Sequence, residues 1–301
     1  MAPSRWALSW PAPNVVGREH DLPGGGRVDG KAERLSDREI ANHSVEPTKT
    51  LRVGCVKYLN ARPLIRGWPG QVTLDNPAAL CAQLARGDVD LALVSSFEFL
   101  RNPIYRIVDD VSISSVGPVY SVIVAHQGEM AEVEEIELDP ASETSTNLLR
   151  CLLAELKLPA RLVPTSTSPV SNRPARLLIG DQAIRFRQKQ AQDFRFWDLG
   201  EQWARLVDLP FVYALWLIRP EVVDAKVIAG RLRVLRDENL AKIDKLIAGE
   251  EDFDREFCAR YYREHLRFSF GEKEKEGLRN FQSLCERHGL IPKRKIAFTV
   301  V

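Results

Sequence analysis

The sequence predicts a two-lobed α/β protein that closes like a clamp, and three observations support this fold class. The chain has 301 residues, of which 45% are hydrophobic, enough for one large core or two modest ones. From Leu51 onward, short apolar runs alternate with amphipathic segments, the pattern of strands joined by helices. An apolar strand at 211–218 follows a second series of strands, and we expect it to return the chain to the first lobe. Two crossings between lobes are typical of a hinged binding clamp.

Several segments have the length and apolar content of buried strands. They are residues 51–56, 71–74, 90–94, 120–125, 134–138, 161–163, 176–179 and 211–218. Between them, Asn76-Pro77 predicts the start of a helix that ends near Gly87. Because parallel strands carry ligands outside their carboxyl ends, we expect the turns after Val56 and Val94 to share one edge of a sheet.

The chain divides into an extension and two lobes. Residues 1–50 are rich in Pro, Gly and charge and lack apolar periodicity, so we expect a disordered N-terminal extension without a signal peptide. Lobe 1 is predicted to comprise residues 51–121 and 211–291, and lobe 2 residues 122–210. The amphipathic helical pattern at 220–289 indicates C-terminal helices that pack on lobe 1.

Composition argues against several classes of protein. With 42 basic and 41 acidic residues the formal charge is +1, so we expect neither nucleic acid nor a membrane as a partner. The five cysteines form no C-x-x-C pair and the five histidines no close pair, so we expect reduced thiols, a cytoplasmic location and no metal. Motifs typical of nucleotide binding and of serine hydrolases are also missing, and we expect no cofactor.

Three turns place small polar side chains where a helix is predicted to begin. They are Tyr58–Asn60, Ser95–Glu98 and Ser142–Thr146. Helix starts present free N–H groups and a partial positive charge, so these turns are candidate sites for a carboxylate. The alternative is that Asn60, Ser95 and Ser145 are ordinary helix caps, with Ser95 and Glu98 spaced as a capping box.

Two further polar residues have positions that suggest a role. Ser121 lies at the predicted crossing between the lobes, where a side chain meets ligand only when the lobes close. Asp181 follows a predicted strand, so it either contacts the ligand or caps the next helix.

Six segments together resemble the chorismate dehydratase family. They are VGCVKYLNARPL (53–64), GDVDLALVSSFEFL (87–100), GPVYSVIV (117–124), SETS (142–145), IGDQAIR (179–185) and DLGEQWARLVDLPFVYALW (198–216). The resemblance runs from about Leu51 to Ile291. It implies a type II periplasmic-binding-protein fold, and an enzyme that removes water from chorismate to give 3-[(1-carboxyvinyl)oxy]benzoate in menaquinone biosynthesis by the futalosine route. It implies a small-molecule substrate and leaves open a monomer or a homodimer.

The resemblance also assigns residues to a site. The family's functional asparagine and serine fall on Asn60 and Ser121, which are the predicted catalytic residues. The predicted substrate-binding residues occupy the turns around them: Tyr58, Leu59, Ser95, Ser96, Thr144, Ser145 and Asp181. Glu143 lies beside a turn that is expected to hold an anion, so it must point outward.

Two alternatives remain at this stage. One is a non-catalytic cytosolic small-anion binding protein of the same fold, because fold does not fix function. The other is the 1,4-dihydroxy-6-naphthoate synthase family of the same pathway. That family has a Pro-Cys-Pro-Asn turn where this chain has Tyr58-Leu59-Asn60-Ala61, which favours the dehydratase.

Overall fold

The computed structural model describes residues 50–165 and 175–301. The predicted extension at 1–50 therefore lies outside the described residues except for Thr50. The described strands are β1 (Val53–Val56), β2 (Val72–Asp75), β3 (Leu91–Ser95), β4 (Arg106–Ser115), β5 (Val122–His126), β6 (Glu135–Glu137), β7 (Arg161–Val163), β8 (Ala175–Ile179), β9 (Arg195–Asp198) and β10 (Phe211–Ile218).

Helices connect or cover these strands. The α-helices are α1 (Arg62–Ile65), α2 (Pro77–Arg86), α3 (Ser96–Arg101), α4 (Glu143–Glu155), α5 (Gly180–Lys189), α6 (Leu199–Val207), α7 (Ala225–Ala241), α8 (Ile243–Ala248), α9 (Arg255–Arg260) and α10 (Glu272–Arg287). Short 3-10 turns lie at Leu59–Ala61 and Met130–Glu132, and a π-helical turn lies at Tyr261–His265. Within the two described ranges, no helix is both long and apolar enough to span a bilayer.

The strands form two five-stranded sheets. The first has the order β2-β1-β3-β10-β4 and the second the order β7-β6-β8-β5-β9. We use lobe 1 and lobe 2 for the parts of the protein that carry the first and the second sheet. Strand β10 lies in the first sheet, which confirms that the chain returns to lobe 1 after building lobe 2.

The parallel part of the first sheet positions the ligand turns as predicted. Strand β1 pairs in parallel with both β2 and β3, so the turns after Val56 and Ser95 lie at one edge. Asn76 caps α2 by accepting from Ala79 N–H at 2.9 Å, and Gly87 ends it with φ +81°. The expectation of parallel strands holds only in part, because β10 runs antiparallel to β3 and β4, and β5 antiparallel to β8 and β9.

The C-terminal helices pack mainly on lobe 1. Helix α7 contacts α1 and β4, and α10 contacts β10. Helix α10 also contacts α4 of lobe 2, which the sequence did not predict. The chain then extends past the predicted end of lobe 1, where Ile107 N–H donates to Thr299 O at 2.8 Å and Asp109 N–H donates to Val301 O at 3.0 Å. These bonds add a short pairing to the outer edge of β4.

Candidate active site

A cavity of about 50 Å³ lies between the lobes at the carboxyl ends of β1 and β3. Its polar lining consists of neutral side chains: Tyr58, Asn60, Ser95, Ser121, Ser142, Ser145 and Tyr213. The remaining lining is mainly apolar or backbone: Val56, Pro77, Ile113, Val119, Val122, Ile179, Gly180 and Ala214. None of the lining residues within the described ranges carries a formal charge.

The first turn holds Asn60 at the cavity without making it a helix cap. The preceding residue Leu59 donates its N–H to Asp181 Oδ1 at 2.8 Å, and its carbonyl accepts from Tyr262 Oη at 2.9 Å. These bonds fix the turn from both lobes. Ala61, not Asn60, occupies the cap position of α1, so the interpretation of Asn60 as a cap is wrong. The Asn60 Oδ1 atom is buried and has no hydrogen-bond partner among the described residues.

Asp181 is not the cap of the helix that follows it. Ile179 precedes α5 at the cap position, and Asp181 lies inside the first turn, reaching across to Leu59 of lobe 1. Burial raises the pKa of Asp181, and the Leu59 hydrogen bond and the nearby guanidinium of Arg62 oppose the rise. Asp181 therefore joins the lobes beside the cavity rather than lining it.

Tyr58 and Gly180 form a close contact between the lobes. Gly180 has φ +57°, a left-handed conformation that favours glycine. A Cβ atom at this position would lie 2.8 Å from Cγ of the Tyr58 ring. Burial raises the pKa of Tyr58, with the carboxylate of Asp139 adding to the effect, so its hydroxyl stays protonated near neutral pH.

Ser121 is fixed by bonds to its carbonyl and its hydroxyl. Its carbonyl accepts from Gly180 N–H at 2.8 Å, and its Oγ accepts from Tyr261 Oη at 2.7 Å. Both side chains are fully buried. Burial raises the pKa of Tyr261, whereas its polar contacts with Ser121 and Asn60 oppose the rise. Ser121 is thus bonded to a tyrosine that does not itself line the cavity.

The backbone before Ser121 is held in an unusual conformation. Tyr120 has φ +69°, which is strained for a residue with a side chain. The buried carboxylate of Asp198 accepts the N–H groups of Val119 at 3.0 Å and Tyr120 at 2.7 Å. The same carboxylate caps α6 through Gly200 N–H at 3.0 Å. Asp198 therefore ties the crossing between the lobes to a helix of lobe 2.

The starts of α3 and α4 cap each other across the cleft. Thr144 Oγ1 accepts from Phe97 N–H at 2.9 Å, and Ser95 Oγ accepts from Thr144 N–H at 3.1 Å. The two hydroxyls also contact each other. Ser95 makes no cap bond to its own helix, so the predicted capping box with Glu98 is wrong. We call this pair of bonds the reciprocal cap.

The start of α4 lies at the cavity through its serines. Ser142 is the cap residue, with Oγ accepting from Ser145 N–H at 3.3 Å, so Ser145 itself is not the cap. Glu143 forms an ion pair at 2.7 Å with Arg101 and does not line the cavity. This agrees with the prediction that Glu143 points outward.

The structure brings together only part of the predicted site. Five predicted residues line the cavity: Tyr58, Asn60, Ser95, Ser121 and Ser145. Four do not: Leu59, Ser96, Thr144 and Asp181. Ser96 Oγ donates instead to Val212 O at 2.7 Å, and the others make the contacts between lobes described above.

Sequence reasoning missed Ser142, Tyr213 and Tyr261. Ser142 belongs to the predicted SETS turn, and its position one residue before the helix was a usable signal. Tyr213 is the one hydroxyl-bearing residue in the apolar strand β10, and its Oη lies 3.2 Å from Ser115 Oγ. Tyr261 carries no local signal, since its partner Ser121 is 140 residues away in the chain.

The arrangement can hold an anionic ligand with neutral hydrogen-bond donors. Hydroxyls from both lobes line the cavity, and α4 directs its positive end toward it. Among the described lining residues there is no carboxylate, imidazole or amine that could act as a general base.

Comparisons with known proteins agree with the fold and point to a pathway. The family described as menaquinone biosynthesis matches residues 51–287. A chorismate dehydratase of Thermus thermophilus is 29% identical over 251 residues, covering 76% of this chain and 93% of that protein.

Solved structures resemble the chain at lower identity. A structural genomics target from Archaeoglobus fulgidus has a TM-score of 0.62 at 18% identity, covering 80% of this chain and 98% of that one. The periplasmic aliphatic sulphonate binding protein of Escherichia coli has a TM-score of 0.55 at 15% identity, and the match covers 83% of this chain and 90% of that one. These likenesses confirm the predicted two-lobed periplasmic-binding-protein-like fold.

Proposed function

The chain belongs to the menaquinone biosynthesis family, and on this premise we propose that it is a chorismate dehydratase. The proposed reaction removes water from chorismate to give 3-[(1-carboxyvinyl)oxy]benzoate. The protein would be a cytoplasmic carbon–oxygen lyase that needs no cofactor. We further propose that residues 51–121 and 211–291 form the lobe that carries the first sheet, and 122–210 the other.

One observation supports this proposal above the others. Asn60 and Ser121, which come from separate parts of the chain, line the same cavity of neutral polar groups. The buried Asn60 Oδ1 has no partner among the described residues. A buried polar atom without a partner costs free energy, so a ligand that bonds to it gains affinity.

The proposed chemistry needs orientation more than a strong base. Dehydration removes the hydrogen from the ring carbon that bears the enolpyruvyl ether and the hydroxyl from the neighbouring carbon. The product ring is aromatic, so the reaction has a large driving force once the groups are aligned. We propose that the substrate's own enolpyruvyl carboxylate accepts the ring proton, because the described lining offers no base.

The carboxylates of the substrate need donors that the site can supply without lysine or arginine. Ser95, Ser142 and Ser145 present hydroxyls at the cavity beside the start of α4. We propose that these groups bind carboxylate, while Asn60 and Ser121 act at the reacting part of the ring. Neutral donors leave the anion less stabilised than in water, which favours charge neutralisation by proton transfer within the substrate.

A product assay with chorismate and no added cofactor tests the reaction. We expect new aromatic absorbance that depends on the protein, with product identity confirmed by mass spectrometry. Binding of chorismate without a change in absorbance would contradict the proposal and favour a non-catalytic binding protein.

Variants of the two central residues test the site. Asn60→Ala and Ser121→Ala should each lower kcat/KM by about 100-fold, the scale of one lost transition-state hydrogen bond. The matched control is Ser114→Ala, since Ser114 is also a buried serine but bonds away from the cavity, to Arg267 O. If both site variants kept the activity of the control, the assignment of Asn60 and Ser121 would be wrong.

A further inference from the structure

The Tyr261 hydroxyl is bonded to Ser121, one of the two predicted catalytic residues. Tyr261 is fully buried, does not line the cavity and begins the π-helical turn Tyr261–His265. Such turns are rare and occur often at functional sites. Its ring stacks on Phe257, with 5.5 Å between centroids and 16° between planes. The phenol is therefore held in one position by packing.

The bond from Tyr261 sets the direction of the Ser121 proton. A phenol has one proton, and Tyr261 Oη donates it to Ser121 Oγ at 2.7 Å. Burial raises the pKa of Tyr261, so the phenol remains the donor near neutral pH. Ser121 has no other side-chain partner among the described residues. Its own proton is therefore available to a ligand in the cavity.

Asn60 supplies a complementary acceptor at the cavity. Its Oδ1 atom is buried, belongs to a lining residue and has no hydrogen-bond partner among the described residues. An amide oxygen can only accept, so this atom needs a donor from the ligand. The Ser121 proton and the Asn60 Oδ1 atom thus offer a ligand one donor and one acceptor.

We propose that Tyr261 is a positioning residue that makes Ser121 a donor, beside the acceptor Asn60, for one hydroxyl group of the ligand. The side chains of Ser121 and Asn60 line the same cavity of about 50 Å³. A hydroxyl both accepts and donates, whereas a carboxylate has no proton to donate to the Asn60 Oδ1 atom.

For the dehydratase, this hydroxyl is the one that leaves, and the inference rests on the proposed function in this respect. The ring C–H electron pair forms the new double bond, and the carbon–oxygen bond breaks with its electron pair going to oxygen. The departing hydroxide takes up the proton that the enolpyruvyl carboxylate accepted and leaves as water, while Ser121 donates a hydrogen bond to the charge that develops on the oxygen. Tyr261 keeps its own proton throughout and acts by holding the Ser121 hydroxyl in a fixed direction before the bond breaks.

Tyr261→Phe tests the proposal because it removes one oxygen and keeps the stack on Phe257. We expect kcat for chorismate to fall at least about tenfold, the scale of one misdirected transition-state hydrogen bond. Binding of the aromatic product, which lacks the hydroxyl, should change less than about twofold, since the carboxylate groups bind elsewhere. The control is Tyr105→Phe, a fully buried tyrosine outside the cavity lining, which should leave kcat unchanged.

A double-mutant cycle separates positioning from a general effect on structure. In a Ser121→Ala background, Tyr261→Phe should lower kcat less than about threefold further, because its main partner is already missing. The proposal would be overturned if Tyr261→Phe lowered kcat by the same factor in both backgrounds. It would also be overturned if the variant weakened product binding by as large a factor as it lowered kcat. Full activity of Tyr261→Phe would overturn it while leaving the dehydratase intact. No turnover by the unmodified protein would overturn both.

Discussion

Replacing Gly180 by Ala tests how tightly the lobes must close over Tyr58. Gly180 has φ +57°, and an added Cβ would lie 2.8, 2.9 and 3.0 Å from three carbons of the Tyr58 ring. The left-handed conformation costs an alanine about 1–2 kcal/mol. Crowding against a packed ring costs about 1–3 kcal/mol more. Because the two residues lie in different lobes, partial opening of the cleft relieves the crowding without unfolding either lobe.

The two costs should therefore appear in different measurements. We expect the free energy of unfolding in urea to fall by about 1–2 kcal/mol, the backbone cost alone. The closed form becomes less populated by about 5- to 150-fold, the equivalent of about 1–3 kcal/mol, and kcat/KM for chorismate should fall by the same factor. Initial rates of aromatic product formation give the second quantity.

Gly289→Ala is a matched control for the backbone. Gly289 has φ +69°, and a Cβ there would meet nothing within 4 Å. It should lose the same stability as Gly180→Ala but keep kcat/KM within about twofold. The reasoning is refuted if Gly180→Ala matches this control in kcat/KM. It also fails if Gly180→Ala loses much more stability than the control, since the crowding would then not be relieved by opening.

Two other predictions concern stability. Thr144→Val keeps the shape of the side chain but leaves the Phe97 N–H without its acceptor. The free energy of unfolding in urea should therefore fall by about 1–3 kcal/mol. Unchanged stability would contradict the buried bond. Burial lowers the pKa of His126, so the unfolded chain binds a proton more readily, and the folded protein should lose stability as the pH falls below about 6.5. His126→Gln should flatten this dependence between about pH 6.5 and 5 in urea titrations, and an unchanged slope would assign the dependence to other groups.

Continuous apolar runs were the part of the fold that the sequence predicted best. The strands at 161–163 and 211–218 have the predicted ends: Pro164 stops the first, and Pro210 and Arg219 flank the second. Strand β4 was missed, since Asp109 and Asp110 interrupt its apolar pattern. The structure accommodates them through Asp110 at φ +60° and an ion pair from Arg236 at 2.9 Å. That compensation comes from a distant helix and leaves no trace in the local sequence.

The turns of the site were predictable, but the roles within each turn were not. Adjacent residues in the first turn of a helix point about 100° apart, so small shifts decide which one lines a cavity. Ser95 lines the cavity and Ser96 does not; Ser145 lines it and Thr144 does not. Partners in the other lobe make this choice. Tyr261 shows the same limit, because only the folded chain brings it to Ser121.

The reciprocal cap makes opening of the cleft measurable by amide hydrogen exchange. The amide protons of Phe97 and Thr144 are each bonded to a hydroxyl of the opposite lobe. Neither can exchange with deuterium through fraying of its own helix alone, because the acceptor is not part of that helix. Both must wait for the lobes to part, so their exchange rates are tied to a single motion. The parting of the lobes can thus be followed through two amide signals beside the cavity.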